Sequence, residues 1–160
     1  LHAASGIGHR GVSQANGRNR QRKDAIAMNT PIVYTAQERN VLLGIEEAMN
    51  LVHKTATDAG WYQDPATGEP VKRNVGEVIA LMHSELSEAL EAHRRDLMDD
   101  KLTTRPGIEV EFADCIIRIL DTAAAMKLDI AGAIVAKNRF NKERADHKLA
   151  ARNAPGGKKL

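Results

Sequence analysis

Two pairs of carboxylates mark the middle of the chain: Glu85-x-x-Glu88 and, after 22 intervening residues, Glu111-x-x-Asp114. A spacing of three puts both members of a pair on one side of a helix. Val78, Leu81, Glu85, Glu88 and Ala92 follow a 3, 4, 3, 4 rhythm, so the first pair continues an apolar stripe. Glu111 has Ile108 three residues before it and Cys115 four after, while Asp114 has Val110 four before and Ile117 three after. An isolated E-x-x-E is ordinarily a solvated helix face. Acids beside apolar stripes on two consecutive helices are instead expected to converge. Two unit charges about 4 Å apart repel by roughly 4 kcal/mol at an effective dielectric near 20, so four such groups need a cation. All-oxygen donors suit a hard divalent ion, and Mg²⁺ keeps waters and shares its coordination with substrate phosphates. The Glu-x-x-His pairs of iron carboxylate bundles do not occur here.

The charge distribution supplies a second half to this chemistry. Residues 77–114 hold ten acids against four bases, and residues 137–160 hold eight bases against two acids. An acidic metal cradle with a basic helix and tail is what a metal-bound polyphosphate requires. Bases near a helix end also serve ordinary dipole compensation. The formal net charge of +2 is therefore a cancellation between segments.

Helices must position these groups. Thr35-Ala-Gln-Glu38 is a capping-box pattern, followed by Leu42, Ile45, Met49 and Val52 at helical spacing, with Gly60 as terminator. Trp61 to Arg73, with Pro65, Gly68 and Pro70, reads as a loop. Asn74 with Glu77 opens a second helix predicted from Val75 to about Leu97. After a polar connection over Asp99–Arg105, Pro106 suits the first turn of a third helix continuing to about Lys127. Asp129 caps a fourth, from Ile130 to about His147, and the tail from Lys148 is expected to be irregular. No β-type alternation competes. The fold class is all-α, a four-helix bundle protomer expected to pair into a larger helical bundle.

At 160 residues the chain is about one domain long. The domain is assigned to residues 28–150, with a basic tail over 151–160. Residues 1–27 carry five bases against Asp24 and almost no large apolar residues, which predicts disorder. Because the first methionine is Met28, this stretch is expected to be an upstream extension outside the natural protein; a basic arm for nucleic acid or membrane is the alternative. Only five residues are aromatic, Tyr34, Trp61, Tyr62, Phe112 and Phe140, so the core must be aliphatic and pairing is expected to complete it. Cys115 is the one cysteine, no zinc spacing is present, and no apolar run is long enough to span a bilayer. A soluble, cytoplasmic protein is the reading, with no membrane partner and nucleic acid disfavoured.

Taken together, these residues resemble the all-α nucleoside triphosphate pyrophosphohydrolases, the MazG-like group that also includes the dimeric dUTPases and phosphoribosyl-ATP pyrophosphohydrolases. The likeness runs from about Glu46 to Leu160. It is carried by Gly60-Trp61-Tyr62 with Gly68-Glu69, by Val75 to Leu90, by Glu109-Val-Glu-Phe-Ala-Asp114, and by Asn141 to His147 followed by Gly-Gly-Lys-Lys159. It implies hydrolysis between the α and β phosphates, giving a nucleoside monophosphate and pyrophosphate, with Mg²⁺ essential and Mn²⁺ as a substitute. Carried over, Glu85, Glu88, Glu111 and Asp114 hold the metal and form the catalytic set. Lys137, Asn141 and Arg144, spaced 4 and 3 on one helix face, resemble the nucleotide-holding positions: Lys137 and Arg144 for phosphates, Asn141 for sugar or base. Phe140 packs either on the base or in the core. Trp61 either covers a base from its loop or packs at a dimer interface. Asp121, seven residues after Asp114, is a candidate outer-shell ligand. The implied assembly is a homodimer or a dimer of dimers. A non-catalytic helical interaction protein, whose acidic stripes mediate oligomer or partner contacts, is the alternative. Asp146-His147 reverses the His-Asp order of metal-dependent phosphohydrolases, and no phosphate-binding Gly-rich loop or Gly-x-Ser-x-Gly elbow is present.

Overall fold

The computed structural model describes residues 32–158, and the chain divides into two units after Tyr34. The first unit contributes only residues 32–34, and everything below concerns the second, from Thr35 onward. The expected disorder of residues 1–27 lies outside the described residues, as do the last two residues of the basic tail.

The fold is an all-α bundle of four long helices: α1 (Ala36–Asp58), α2 (Val75–Arg95), α3 (Gly107–Ala125) and α4 (Ile130–Glu143). A 3₁₀ turn (Ala145–His147) and a short α5 (Leu149–Asn153) follow. No strand occurs among the described residues; two isolated bridges, Gln63 with Pro70 and Met98 with Pro106, close the two longer connections. Among the described residues, no helix is long and apolar enough to cross a membrane.

α1, α2 and α4 begin where a side chain satisfies a free N–H group of the first turn, whereas α3 follows Pro106 with no side-chain cap. At α1 the box is complete: the Glu38 amide donates to Thr35 Oγ1 at 3.2 Å, and the Thr35 amide donates to Glu38 Oε2 at 2.7 Å. Asn74 Oδ1 accepts from the Gly76 amide at 2.9 Å and Asp129 Oδ1 from the Gly132 amide at 2.7 Å. The ends differ more from expectation. α2 stops at Arg95, two residues early, because Asp96 turns left-handed (φ 51°) and the Leu97 amide bonds back to the Ala92 carbonyl. α3 stops at Ala125 before the left-handed Lys127 (φ 55°), whose successor Leu128 donates to the Ala123 carbonyl. Both are ordinary αL terminations, here made without glycine. α4 ends at Glu143 rather than His147: Arg144 is extended (ψ 124°) and its guanidinium grips Asp146 through two hydrogen bonds. The tail from Lys148, expected to be irregular, forms α5.

α3 is the central element, packing against both α2 and α1, while α4 packs against α1. The α2–α3 contact relies on small residues: Ala89, Ala92, Cys115 and Gly107 are all buried. A Cβ on Gly107 would meet Ala92 Cβ at 3.0 Å and the Leu97 carbonyl oxygen at 3.2 Å, so glycine is what allows α3 to start this close to the end of α2. The core is aliphatic, as composition requires, and it consists of small side chains. Leu86 and Leu90 on α2, and Phe112 and Ile116 on α3, are exposed in the protomer.

Candidate metal and nucleotide site

The α2–α3 hairpin brings the two carboxylate motifs together. Carboxylate oxygens of Glu85, Glu88 and Glu111 lie within 4.8 Å of one another. Glu85 is buried, Glu111 half-buried and Glu88 exposed, so the triad runs from the helix interface out to solvent. Asp114 stands on the wall of the same cleft without joining the triad. The cleft is open, about 740 Å³ in volume, and is closed at one end by the connection carrying Met98 and Asp99. Asp99 shapes that connection by accepting from the amides of Lys101 (3.0 Å) and Leu102.

The electrostatics follow from crowding. Burial comes first and repulsion from Glu88 second in pushing Glu111 up to about 7, followed by a hydrogen bond to Glu85 and the charges of Glu85 and Asp114. A carboxyl held this far above its ordinary range by burial and by neighbouring acids is one that a bound cation would return to the ionised form. Three convergent oxygen donors, with a fourth on the same wall, fit a hard divalent ion. Arg118, one turn after Asp114 on α3, places a positive charge among these acids, as Lys101 does on the lining of the cleft: Arg118 Nε donates to Glu85 Oε1 at 2.7 Å, and its Nη2 lies 2.6 Å from the same oxygen as an ion pair.

Comparison with family models, with curated proteins and with solved structures finds no match.

A second cleft, of about 420 Å³, shares Asp114 and Arg118 with the first. Trp61 lines it and is 66% exposed, with the Arg73 guanidinium 5.9 Å from its ring centroid. Ala56, Leu81 and Ile117 supply apolar wall. Trp61, one of the residues singled out from sequence, therefore opens onto a cleft that adjoins the acids.

Asp121, the candidate outer-shell ligand, lines the second cleft and already has partners of its own. Its carboxylate is buried and occupied: Oδ1 takes hydrogen bonds from Tyr62 Oη (2.8 Å) and His53 Nδ1 (2.8 Å), and Oδ2 takes one from Arg73 (3.3 Å). Burial, then the bond to Asp121, pushes the Tyr62 hydroxyl up to about 12, so it is a firm donor. The network ties α1 and the 61–73 loop to α3, and it holds Arg73 beside Trp61.

The basic face of α4 lies elsewhere in the protomer. Lys137, Phe140 and Arg144 do come together: Lys137 Nζ sits 5.0 Å from the Phe140 ring centroid and the Arg144 guanidinium 5.7 Å. Phe140 is 55% exposed, which excludes a core role within the protomer. Asn141 Oδ1 is buried with no hydrogen-bond partner among the described residues. None of these four residues lines either cleft, because α4 is held on α1 by a bidentate Arg139–Glu38 pair at 2.6 and 2.7 Å. That pair holds Glu38 well below the usual carboxylate range.

Arg118, Arg73, His53 and Tyr62 were not singled out from the sequence as site residues. Arg118 had a readable signal, since it falls four residues after Asp114 and seven after Glu111 on the same helical stripe. Arg73 and His53 had none, for their partner Asp121 is 48 and 68 residues away.

Proposed function

We propose that the chain is a Mg²⁺-dependent nucleoside triphosphate pyrophosphohydrolase of the MazG-like kind, hydrolysing the α–β phosphate bond to give the monophosphate and pyrophosphate. The observation that carries this reading is the convergence of Glu85, Glu88 and Glu111 from two helices into one open cleft, with Asp114 on its wall. Glu85, Glu88, Glu111 and Asp114 are the residues that would hold the metal, Mg²⁺ or Mn²⁺. When bound, such an ion polarises phosphate oxygens and acidifies a coordinated water. The chain's own contribution is placement: the carboxylates hold their positions on rigid helices, and the Trp61 cleft adjoins them to receive the nucleoside.

The reading includes a homodimer. Leu86, Leu90, Phe112 and Ile116 leave an apolar surface on the α2–α3 pair that a second copy would cover. Lys137, Phe140, Asn141 and Arg144, which do not line the cleft of their own protomer, would reach a nucleotide from that second copy. Cytoplasm, where nucleotides are held and a free thiol such as Cys115 persists, is the matching compartment.

Incubation with a panel of canonical and modified triphosphates in Mg²⁺, with the products resolved, tests the reaction. Monophosphate and pyrophosphate in equal amounts are expected; orthophosphate without pyrophosphate, or no turnover across the panel, refutes it. Glu88→Ala should abolish turnover with helicity intact. A non-catalytic interaction protein would draw on the same exposed apolar surface, and it predicts no thermal stabilisation by Mg²⁺ with nucleotide.

A further inference from the structure

Arg118 occupies a position that neither its ion pair nor the packing of α3 fully uses. It lines both clefts, and with Asp114 it forms the boundary between them. Its side chain is 34% exposed. A guanidinium has five N–H donors. One, on Nε, goes to Glu85 Oε1, Nη2 pairs with the same oxygen as an ion contact, and the rest make no hydrogen bond among the described residues. Glu85 is thereby held by one oxygen while its other oxygen remains for the carboxylate cluster. Around Arg118 stand Glu85, Glu88, Glu111 and Asp114, so the cleft keeps a surplus of negative charge even with the arginine counted. An anionic substrate enters such a cleft only with divalent cations and with a fixed cation of the protein beside its path. Of the bases placed on α4, none lines either cleft; Lys101 lines only the first and Arg73, bonded to Asp121, only the second, so Arg118 is the base common to both.

We propose that Arg118 is the phosphate-binding arginine of this site, acting from within the same protomer, and that a nucleotide lies across it with its base toward Trp61 and its triphosphate over the carboxylates. This rests on the pyrophosphohydrolase reading and extends it. A substrate running from one cleft to the other must cross the boundary where Arg118 stands. The planar fork suits phosphate oxygens, and its orientation is set in advance by the hydrogen bond and ion pair to Glu85. The same two contacts make Arg118 a positioning residue for Glu85, so the metal ligand and the phosphate donor are built as one unit.

The test is calorimetric binding, in Mg²⁺, of a triphosphate with a non-hydrolysable α–β bridge and of the corresponding monophosphate. The protein is the full chain, as wild type, Arg118→Gln and Arg118→Lys. Wild type should prefer the triphosphate. Arg118→Gln should reduce the triphosphate-to-monophosphate affinity ratio about tenfold or more. Arg118→Lys, which keeps the charge and loses the fork, should recover part of it. A purely structural arginine would weaken both ligands alike, so an unchanged ratio in a folded Arg118→Gln protein overturns the assignment while leaving the reaction in place. Should Arg118→Gln fail to fold, the ratio in Arg118→Lys decides, and wild-type discrimination there overturns the proposal. Absence of triphosphate binding by the wild type overturns the pyrophosphohydrolase reading itself, and Arg118's role with it.

Discussion

Glu111→Gln should make the metal-free protein more stable at alkaline pH. Glu111 is held up to about 7 against an ordinary value of 4.5, first by burial and then by the charge of Glu88. Below about pH 4.5 the group is protonated whether the chain is folded or not, and it contributes no penalty. As pH rises through about 7 the folded state must ionise it beside Glu85, Glu88 and Asp114, so stability is lost over that window. Taken at face value the shift corresponds to about 3 kcal/mol; solvent in the open cleft screens it, leaving about 1–2 kcal/mol. Glutamine removes the charge at nearly constant shape. For a domain of this size that gain corresponds to a rise in Tm of about 3–8 °C at pH 8 in the presence of a chelator, falling toward zero at pH 5. Thermal unfolding of both proteins at the two pH values measures it. Saturating Mg²⁺ should invert the order: at a hundredfold excess over Kd a ligand adds about 2.7 kcal/mol, a gain that wild type shows and the variant largely forfeits. A variant no more stable than wild type at pH 8, or equally stabilised at pH 5 and pH 8, would refute the crowded-carboxylate account.

Other perturbations reach the scaffold behind the site. Asp121→Ala should cost about 3–5 kcal/mol, because it strands Arg73, Tyr62 and His53 around an empty position; a red shift of Trp61 fluorescence should report release of the 61–73 loop. Gly107→Ala, whose methyl would press on Ala92 and the Leu97 carbonyl, should cost about 1–3 kcal/mol in denaturant unfolding and weaken Mn²⁺ binding by splaying the hairpin. Glu38→Gln should loosen α4 selectively, seen as faster hydrogen exchange along Ile130–Glu143. Since Arg139 depresses the Glu38 pKa, this pair's stabilisation is present above the ordinary glutamate range and is lost as pH falls through the lowered value, so the wild-type protection of α4 should decline only in strong acid.

Much of the architecture was readable from local rules. Thr35, Asn74 and Asp129 cap helices where the sequence predicts, because a cap oxygen and the backbone amide it accepts from lie within three residues and need nothing else. The carboxylate convergence was also legible: a short connection forces α2 and α3 antiparallel, and acids on their apolar sides then face one cleft. Helix ends were less so. Asp96 and Lys127 adopt left-handed conformations that neither residue type announces, and Arg144 leaves the helix to hold Asp146.

Asp121 and the α4 bases show where reading by periodicity stops. Asp121 lies seven residues after Asp114 and so shares its stripe, yet a stripe on α3 is long enough to meet two environments. The turn carrying Glu111 and Asp114 faces the acid cluster, and Asp121, two turns on, meets His53, Tyr62 and Arg73. The charge count correctly separated an acidic middle from a basic end, but charge alone did not say which surfaces meet. Glu38 took Arg139 and with it α4, across 101 residues.

The amino-acid sequence by itself determined the four long helices, their starts and the pairing of Glu85-x-x-Glu88 with Glu111-x-x-Asp114, because these depend on interactions within a few residues and on one short connection. Tertiary structure alone decided that Arg118 joins the carboxylates, that Trp61 opens onto the adjoining cleft, that Asp121 anchors a loop and that the basic helix sits on α1. Those outcomes are choices among distant partners, set by which charged and polar groups end up close enough to share hydrogen bonds once the apolar surfaces have packed.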